Sequence, residues 1–318
     1  MAQMFLTFID VGWGDSILIE VIDSQGYHHF ALVDSNDTSN SASTQIFLKR
    51  HFERYSKRFG LVSLPYPLFD IVFATHAHAD HIAGLQGVLR QWGTQELRSS
   101  RFNNAKNAAF ANTLRWSKWA TRNGSPVVGS HGYLANKDTL SLGPVAISVL
   151  WPEPPAMGAP NQPNDLHNEN NNSLVLSFRL RGVSFVLSGD CEADNWAMKG
   201  TNWPVNLPGR GLKVVQIPHH GAHNGLFDSL GGTPLLDQIG AKHHADPTVD
   251  PLLVLSCHPH PHDHPDPAVS RILDARNLGG KFASWAAPLR ALRTDENLHF
   301  TVWTDGKKVE TLARPFRS

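Results

Sequence analysis

Residues 75–81, THAHADH, place three histidines and an aspartate in a short segment directly after an apolar, strand-like run. In extended backbone, side chains two residues apart lie on the same side, so His76 and His78 can bind one cation. Asp80 and His81 fall where the chain turns into a helix, and they can reach a second cation. Isolated histidines usually belong to solvated loops, but this cluster follows a run that reads as a buried strand. The spacing is typical of the ligands of a two-metal hydrolase.

Two further stretches follow apolar, strand-like runs and supply the same residue types. In SGDCE, the carboxylate of Asp190 can bridge two cations about 3.5–4 Å apart, because each oxygen can take one metal. A Gly-Asp pair at a strand end is more often a turn or a helix cap, so this prediction depends on the other motifs. In IPHHG, one histidine should complete the second metal; we favour His220, and His219 can then face the substrate. Asp34, in LVDSN, either orients a ligand histidine or only makes a turn.

These ligands have a clear chemical use. Imidazole and carboxylate groups hold divalent cations that lower the pKa of bound water, so that hydroxide exists near neutral pH. A hydroxide that bridges two divalent metals would be the nucleophile, and Asp80 and Asp190 would be catalytic residues as well as ligands. The metals would also neutralise a phosphoryl group, which is why such sites recur in nucleases and phosphatases. The sequence therefore predicts a metal-dependent hydrolase.

Length, composition and charge limit the fold and the partners. The chain has 318 residues, of which 41% are hydrophobic, and this suits one domain with a substantial core. Lys plus Arg and Asp plus Glu both number 28, so no global basic field would attract a long nucleic acid. A helix predicted over residues 104–122 has a basic side made of Lys106, Arg115, Lys118 and Arg122. That side is either a solvated face or a local phosphate-attracting patch.

The sequence shows no sign of export or membrane insertion. Cys191 and Cys257 are too few for a disulfide framework, which fits a reducing compartment. The N-terminal residues MAQMFLTFIDVG lack the basic start, apolar centre and cleavage site of a signal peptide. No apolar run approaches the ~20 residues that span a bilayer. We therefore expect a soluble, cytoplasmic protein that does not associate with membranes.

The order of strand-like and helical patterns predicts the fold. Short strands at residues 4–9, 16–22 and 29–33 predict an opening antiparallel meander. One helix is predicted over residues 79–92, with the last two ligands of THAHADH in its first turn. After a Pro- and Asn-rich loop at residues 151–172, strands and helices restart. Two strand-rich halves with intervening helices predict an α/β fold, a four-layer αββα sandwich of two mixed sheets with helices outside.

With these motifs, the chain resembles the metallo-β-lactamase superfamily, and within it the soluble ComEC-type hydrolase domains of DNA-uptake proteins. The resemblance implies one metallo-β-lactamase-fold domain over residues 1–318, with an insertion around residues 86–144 that matches nothing in the family. It covers nearly the whole chain. The matching segments, in order, are FIDVGWGDSILIE (8–20), ALVDS (31–35), NNNSLVLSF (170–178), FVLSGD (185–190), IPHHG (217–221), HPDPAV (264–269) and RTDENLHFTVWTDG (293–306).

The resemblance also implies an activity: a phosphodiesterase or nuclease that uses two divalent ions, zinc or manganese, on a phosphodiester such as DNA or a nucleotide. No third histidine is expected in the loop before Ser173. There, Asn172 and Ser173 would contact phosphate oxygens, supply a weak third ligand to the first metal, or have no ligand role. Asp15 and Ser16 match the family's Gly-Asp-Ser turn and could line the same cleft, unless Ser16 only caps a turn. His264 is a candidate for substrate contact or leaving-group protonation, and the other histidines of CHPHPHDHP are expected at the surface.

Departures from the family pattern concern the pocket rather than the ligands. Trp13 stands where the family usually has Gln, and Ala222 replaces a small hydroxyl residue. Two other functions therefore stay open. The same metals could hydrolyse a lactone, thioester or amide, which parallel assays on esters and phosphodiesters would reveal. Alternatively, the chain could be a non-catalytic subunit that binds a protein partner in a DNA-processing or defence system, and metal analysis would test that hypothesis.

Overall fold

Strands and short helices alternate along the chain in the computed structural model, which describes residues 1–37, 42–101, 108–152, 169–197, 205–277 and 291–312. The strands in these ranges are β1 (Gln3–Phe8), β2 (Ile17–Ile22), β3 (His28–Val33), β4 (Phe69–Ala74), β5 (Thr94–Ser99), β6 (Thr121–Arg122), β7 (Ser125–Pro126), β8 (Val128–Tyr133), β9 (Thr139–Leu142), β10 (Val145–Trp151), β11 (Val175–Leu180), β12 (Val183–Leu187), β13 (Leu212–Gln216), β14 (Leu252–Leu255), β15 (Ala291–Arg293), β16 (Phe300–Thr304) and β17 (Val309–Leu312). The helices are α1 (Ser43–Phe59), α2 (Ala79–Ile82), α3 (Leu85–Trp92), α4 (Ala108–Ser117), α5 (Ala193–Trp196), α6 (His223–Leu226), α7 (Pro234–Ala245), α8 (Pro267–Asn277) and α9 (Thr294–Asn297), with helical turns at Asn170–Asn172 and His219–Gly221.

The first half of the chain builds most of a mixed sheet, whose strand order over the described residues is β17-β16-β1-β2-β3-β4-β5-β8. Strands β1, β2 and β3 pair antiparallel, which confirms the predicted meander. Strand β4 then joins β3 in parallel. Because parallel strands end at the same edge of a sheet, the segments after β3 and β4 lie side by side. Asp34, after β3, therefore contacts Thr75, after β4.

A second sheet, described over the same ranges, has the order β15-β14-β13-β12-β11-β10-β9. Strands β12, β13, β14 and β15 pair in parallel, so their carboxyl ends share one edge. SGDCE follows β12, IPHHG follows β13, and the histidine-rich segment follows β14. Segments far apart in sequence thus reach one end of the second sheet.

Apolar side chains fill three zones that separate four layers. The zone between the sheets brings Leu6, Ile19 and Phe73 of the first sheet together with Phe178 and Phe185 of the second. Helices α1, α3 and α4 cover the outer face of the first sheet, and α5 to α8 cover that of the second. The predicted αββα sandwich is confirmed. No helix in the described ranges has the length and apolar character needed to cross a bilayer.

The helix predicted over residues 79–92 is wrong in one respect, since the structure divides it into α2 and α3. The loop after β3 inserts into the helical hydrogen-bond ladder: the N–H of Ser35 donates to the carbonyl of His81 (2.8 Å), and the N–H of Gly84 donates to the carbonyl of Ser35 (2.8 Å). A Cβ on Gly84 would lie only 2.3 Å from the Ser35 side chain. A contact between distant segments therefore decides where the helix breaks.

Residues 86–144, the predicted insertion, supply strands to both sheets. Strands β5 and β8 extend the first sheet, and β9 extends the second. The helix predicted over residues 104–122 forms as α4, which is shorter at its C-terminal end. Of its basic side, Arg115, Lys118 and Arg122 are exposed, and Lys106 lies outside the described residues.

Candidate metal centre

Loops at the ends of the two sheets bring four ligand-type side chains into one buried group. Asp80 and His81 come from the segment between β4 and α3, Asp190 follows β12, and His220 follows β13. One potential ligand atom from each lies within 4.8 Å of those of the others. The Nε2 atom of His220 is 3.2 Å from a carboxylate oxygen of Asp80 and 3.4 Å from one of Asp190. This arrangement can enclose a single cation.

A second group consists of His76, His78 and Asp190, whose ligand atoms also lie within 4.8 Å of one another. Asp190 belongs to both groups. Its Oδ1 atom is 3.2 Å from Nε2 of His81, whereas its Oδ2 atom is 3.6 Å from Nε2 of His76. A carboxylate whose two oxygens face different ligand groups can bridge two ions.

Hydrogen bonds on the far side of the rings fix the tautomers of His81 and His220. The Nδ1 atom of His220 is 3.0 Å from the carbonyl oxygen of Ser256, which can only accept, so Nδ1 carries the proton. The Nδ1 atom of His81 is 2.7 Å from a carboxylate oxygen of Asp34, which favours the same tautomer. In the neutral rings, two Nε2 lone pairs then face each other across 3.2 Å. Lone pairs and carboxylates this close repel one another unless a cation lies among them.

The electrostatic field of the group favours positive charge. Burial lowers the pKa of His220, but the Asp190 charge and the hydrogen bond to Asp80 raise it to about 9. Burial also opposes protonation of His81, yet the charges of Asp190, Asp80 and Asp34 raise its pKa well above the usual value. Burial raises the pKa of Asp190, whereas the surrounding histidines hold it well below its usual range. A field that draws protons onto buried imidazoles would equally attract a divalent cation in their place.

Two buried polar atoms at the centre lack hydrogen bonds. Nε2 of His76 and Oδ1 of Asp190 have no hydrogen-bond partner in the described part of the chain. Such atoms cost about 1–3 kcal/mol each, so a folded protein retains them where a ligand completes them. Imidazole and carboxylate are donors that zinc and manganese both accept. The residues therefore fit two divalent ions.

Buried residues behind the ligands hold them in place. Asp34 accepts hydrogen bonds from the N–H and the hydroxyl of Thr75, at 2.8 and 2.6 Å, in addition to that from His81. Asp34 thus contacts a candidate ligand histidine, as the first of its two interpretations required. The hydroxyl oxygen of Ser173 accepts a hydrogen bond from the backbone N–H of Asp190 at 3.2 Å. Asp34 therefore orients the His81 ring, and Ser173 fixes the backbone of Asp190.

The turn of IPHHG explains how adjacent histidines reach different places. His219 and His220 both have positive φ angles, 53° and 52°, which are uncommon outside glycine. This backbone directs His220 into the ligand group, while His219 lines the cavity described below. Nε2 of His219 is 3.8 Å from Oδ2 of Asp190. Strain of this kind persists where the surrounding structure over-determines it, often at functional sites.

Asp15 and Ser16 could have lined the cleft by their motif, but they lie outside the lining of the cavity described below. Both are buried. Asp15 accepts a hydrogen bond from the Gln216 side chain at 2.9 Å, and Ser16 accepts one from the Thr44 hydroxyl at 3.1 Å. The backbone N–H of Asp15 also donates to the carbonyl of Asp80 (3.3 Å), which holds this turn against the metal-ligand loop. Their partners inside the protein explain why they do not line the cavity.

Of the three interpretations of Asn172 and Ser173, the structure favours the one without a ligand role. Both residues are buried outside the cavity lining, and the Ser173 hydroxyl accepts a hydrogen bond from the Asp190 backbone. Asn170 lines the cavity instead. The sequence analysis missed Glu169, which is buried and places a carboxylate oxygen 3.4 Å from Nε2 of His78. The available signal was an acidic residue directly before the asparagine run.

A cavity of about 370 Å³ opens over the two ligand groups. His219 and His264, both predicted to meet the substrate, lie in its wall. His262, which was expected only at the surface, is exposed but also lines the cavity. Trp13 lines the cavity too, although it was not predicted as a site residue. The complete lining is Trp13, His78, Ala79, Asp80, Asn170, Asp190, His219, His262 and His264.

His264 is suited to hydrogen bonding rather than to permanent charge. Burial and the neighbouring charges of His220 and His219 lower its pKa to about 4. Its imidazole is therefore neutral near pH 7, with one donor and one acceptor nitrogen. The centroids of the His219 and His264 rings are 6.1 Å apart, so both rings border the same space.

Comparisons with known proteins agree with this architecture. A family model described as the metallo-β-lactamase superfamily matches residues 69–230, which include THAHADH, SGDCE and IPHHG. ComE operon protein 3 of Bacillus subtilis (strain 168) is 24% identical over 223 residues, which cover 67% of this chain but only 25% of that protein. The crystal structure of unliganded yeast PDE1 superposes with a TM-score of 0.52 at 14% identity, covering 92% of this chain and 98% of that one. The metallo-β-lactamase fold protein YhfI from Bacillus subtilis gives 0.45 at 14% identity, covering 93% and 98%. At these identities, the solved structures show similarity of fold alone.

Proposed function

The chain belongs to the metallo-β-lactamase superfamily of metallo-hydrolases, and we propose that it is a phosphodiesterase that uses two divalent ions, zinc or manganese, to cleave nucleic acid or a nucleotide. The observation that carries the proposal is the position of Asp190. Its two carboxylate oxygens face separate groups of buried imidazole and carboxylate ligands. Paired ions held this way suit displacement at a phosphoryl group, because attacking and leaving oxygens can both be stabilised.

Each ligand has a defined place in this proposal. His76 and His78 would hold one ion, His81 and His220 would hold the other with Asp80, and Asp190 would bridge them. Ions bound there would activate water near neutral pH and offset the charge of the phosphodiester. Because Nδ1 of His81 and Nδ1 of His220 are hydrogen-bonded on the far side of the rings, each Nε2 atom already faces the centre, and an ion would need only to displace its proton.

The remaining cavity residues supply hydrogen-bond donors for a phosphodiester. Nδ2 of Asn170 lies 3.2 Å from Nε2 of His219. These two side chains and His264 border the space beside the ligand groups. Amide and imidazole N–H groups can bind the non-bridging oxygens of a phosphate. The neutral His264 can donate a hydrogen bond to the leaving oxygen, and it could transfer a proton only if the negative charge of a bound substrate first raised its pKa and protonated the ring.

The similarity to ComE operon protein 3 and the ComEC-type motifs favours a phosphodiester over a lactone, thioester or amide. The chain spans only a quarter of the length of that relative, so participation in DNA uptake would be a separate proposal.

Adjacent histidines offer a matched test. We expect purified protein with Mn²⁺ to cleave bis(p-nitrophenyl) phosphate faster than p-nitrophenyl acetate or a lactone. The His220→Ala variant should lose one of two bound ions and its activity. The His219→Ala variant should keep both ions and lose about 100-fold or more in kcat, as is typical when a donor to the transition state is removed. Wild-type turnover in Asp190→Ala, or preferential cleavage of the lactone, would contradict the proposal.

A further inference from the structure

Trp13 and His262 form an aromatic wall on one side of the cavity. Their ring centroids are 4.4 Å apart with an interplanar angle of 55°. The Trp13 ring also lies edge-on to His220, with centroids 6.2 Å apart. The two rings come from the β1–β2 loop and the histidine-rich segment after β14. An aromatic surface therefore lies directly beside the ligand group that contains His220.

The β1–β2 loop holds Trp13 firmly against the metal-ligand loop. The side-chain amide of Asn36 donates to the carbonyl of Trp13. At the next residue, Gly14 has φ +110°, and a Cβ there would lie 2.3 Å from the backbone oxygen of Asp80. Only glycine permits this approach. The backbone of Trp13 is thus fixed before any ligand arrives, which limits the ordering cost of binding.

Hydrolysis by paired ions does not require this aromatic wall. The Nε1 atom of Trp13 is buried and has no hydrogen-bond partner among the described residues. The cavity lining, as far as the described ranges define it, includes no lysine or arginine that would bind a second phosphate. The features beside the ion ligands are therefore aromatic faces and an unused N–H donor, which suit a flat, apolar group with hydrogen-bond acceptors.

We propose that Trp13 and His262 form a subsite for the base of the nucleotide that carries the scissile phosphate, a proposal that rests on the phosphodiesterase function. Each nucleobase has a π-face that stacks on aromatic side chains with little sequence preference, and each has acceptors for an indole N–H. The 6.2 Å between the Trp13 and His220 rings places the indole within one nucleotide of a phosphate at the ligand groups. The substrate class is thus a nucleotide phosphodiester rather than a glycerol or sugar phosphodiester.

Binding measurements test the subsite without relying on turnover. Isothermal titration calorimetry, in the presence of Mn²⁺, would compare dAMP with deoxyribose 5-phosphate, which has the same sugar and phosphate but no base. Wild-type protein should bind dAMP about 5- to 140-fold more tightly, as expected for stacking of one base. Trp13→Ala should remove this preference and leave the affinity for deoxyribose 5-phosphate unchanged, whereas Trp13→Phe should retain part of it. Trp119→Ala, a change at a tryptophan that is 83% exposed and outside the cavity lining, is the control.

The exposed His262 allows a second variant that does not disturb the core, and His262→Ala should also reduce the preference for dAMP. Equal affinity of wild-type protein for the two compounds would overturn the base subsite and leave the phosphodiesterase proposal standing. Equal weakening of both compounds by Trp13→Ala would show a merely structural role and would likewise overturn it. If neither compound binds, the phosphate site itself is wrong, and the base subsite is wrong with it.

Discussion

Replacement of Asp34 by asparagine tests whether the fold sets the protonation of a metal ligand. Asp34 is fully buried, and its two oxygens have different partners. Oδ1 accepts from the N–H of Thr75, and Oδ2 accepts from the Thr75 hydroxyl and from Nδ1 of His81. Asparagine has the same shape, but it replaces one acceptor oxygen with an NH₂ donor. In either orientation, this donor therefore faces another buried donor.

The expected size of the effect follows from that mismatch. If the NH₂ group faces Thr75, one buried N–H loses its acceptor, at a cost of about 1–3 kcal/mol. If the NH₂ group faces His81, the ring can avoid the contact between two donors by carrying its proton on Nε2 instead of Nδ1. That tautomer has no Nε2 lone pair to direct at the ion. Loss of an orienting partner typically weakens metal binding by about 10- to 100-fold, equivalent to about 1.4–2.7 kcal/mol. Both estimates have the size of one lost buried hydrogen bond.

Competition with a chromophoric chelator would measure the affinity for each ion in wild-type protein and in Asp34→Asn. We expect weaker binding of one ion and nearly unchanged binding of the other, because His81 lies in the group with Asp80 and His220 and not in the group with His76 and His78. The control is Asp250→Asn, which removes the same charge from an exposed aspartate. Urea unfolding with excess chelator separates loss of stability from loss of affinity. Unchanged affinity for both ions in a folded Asp34→Asn protein would refute the role of Asp34.

Three further outcomes are expected. Ser173→Ala should lower the free energy of unfolding by about 1–3 kcal/mol in a urea titration, because the Asp190 N–H loses its acceptor. Ser184→Ala removes a buried hydroxyl that has no partner among the described residues, so it should lower the free energy of unfolding far less in the same titration. Gly14→Ala and Gly26→Ala both place alanine at positive φ, at a cost of about 1–2 kcal/mol. Only Gly14→Ala should also weaken metal binding in the chelator assay, because its Cβ meets the metal-ligand loop, whereas Gly26 has open space. EDTA should lower the Tm of wild-type protein in differential scanning fluorimetry, and it should change the Tm of Asp190→Ala much less.

Local sequence patterns predicted the elements that depend on local contacts. Alternating apolar residues in the N-terminal meander predicted three strands whose ends all lie within one residue of those of β1, β2 and β3. The break between α2 and α3 was not predictable in this way. It depends on Ser35, which donates to the carbonyl of His81 from a loop that is distant in sequence. The pattern of apolar residues within residues 79–92 gives no indication of that contact.

The same distinction separates predicted from missed site residues. His76 and His78 were identifiable because their spacing on one extended segment already determines that they share a side. The roles of Asp15 and Ser173 stayed open in the sequence because their orientation depends on partners from other segments, Gln216 and the Asp190 backbone. Which side of a loop faces a cavity is decided by such tertiary contacts, which a single sequence does not reveal.

The candidate ions would join the two sheets, so function and stability depend on the same side chains. Asp80 and His81 follow a strand of the first sheet, whereas Asp190 and His220 follow strands of the second. Each ligand histidine is oriented by its own sheet, His81 by Asp34 and His220 by the carbonyl after β14. Without cations, the charges of Asp80 and Asp190 draw protons onto both imidazoles at that junction, and bound ions would displace those protons. At 100 times its dissociation constant, each bound ion contributes about 2.7 kcal/mol to stability. The electrostatic field that protonates the empty centre is therefore the same field that gives the site its affinity for divalent metal.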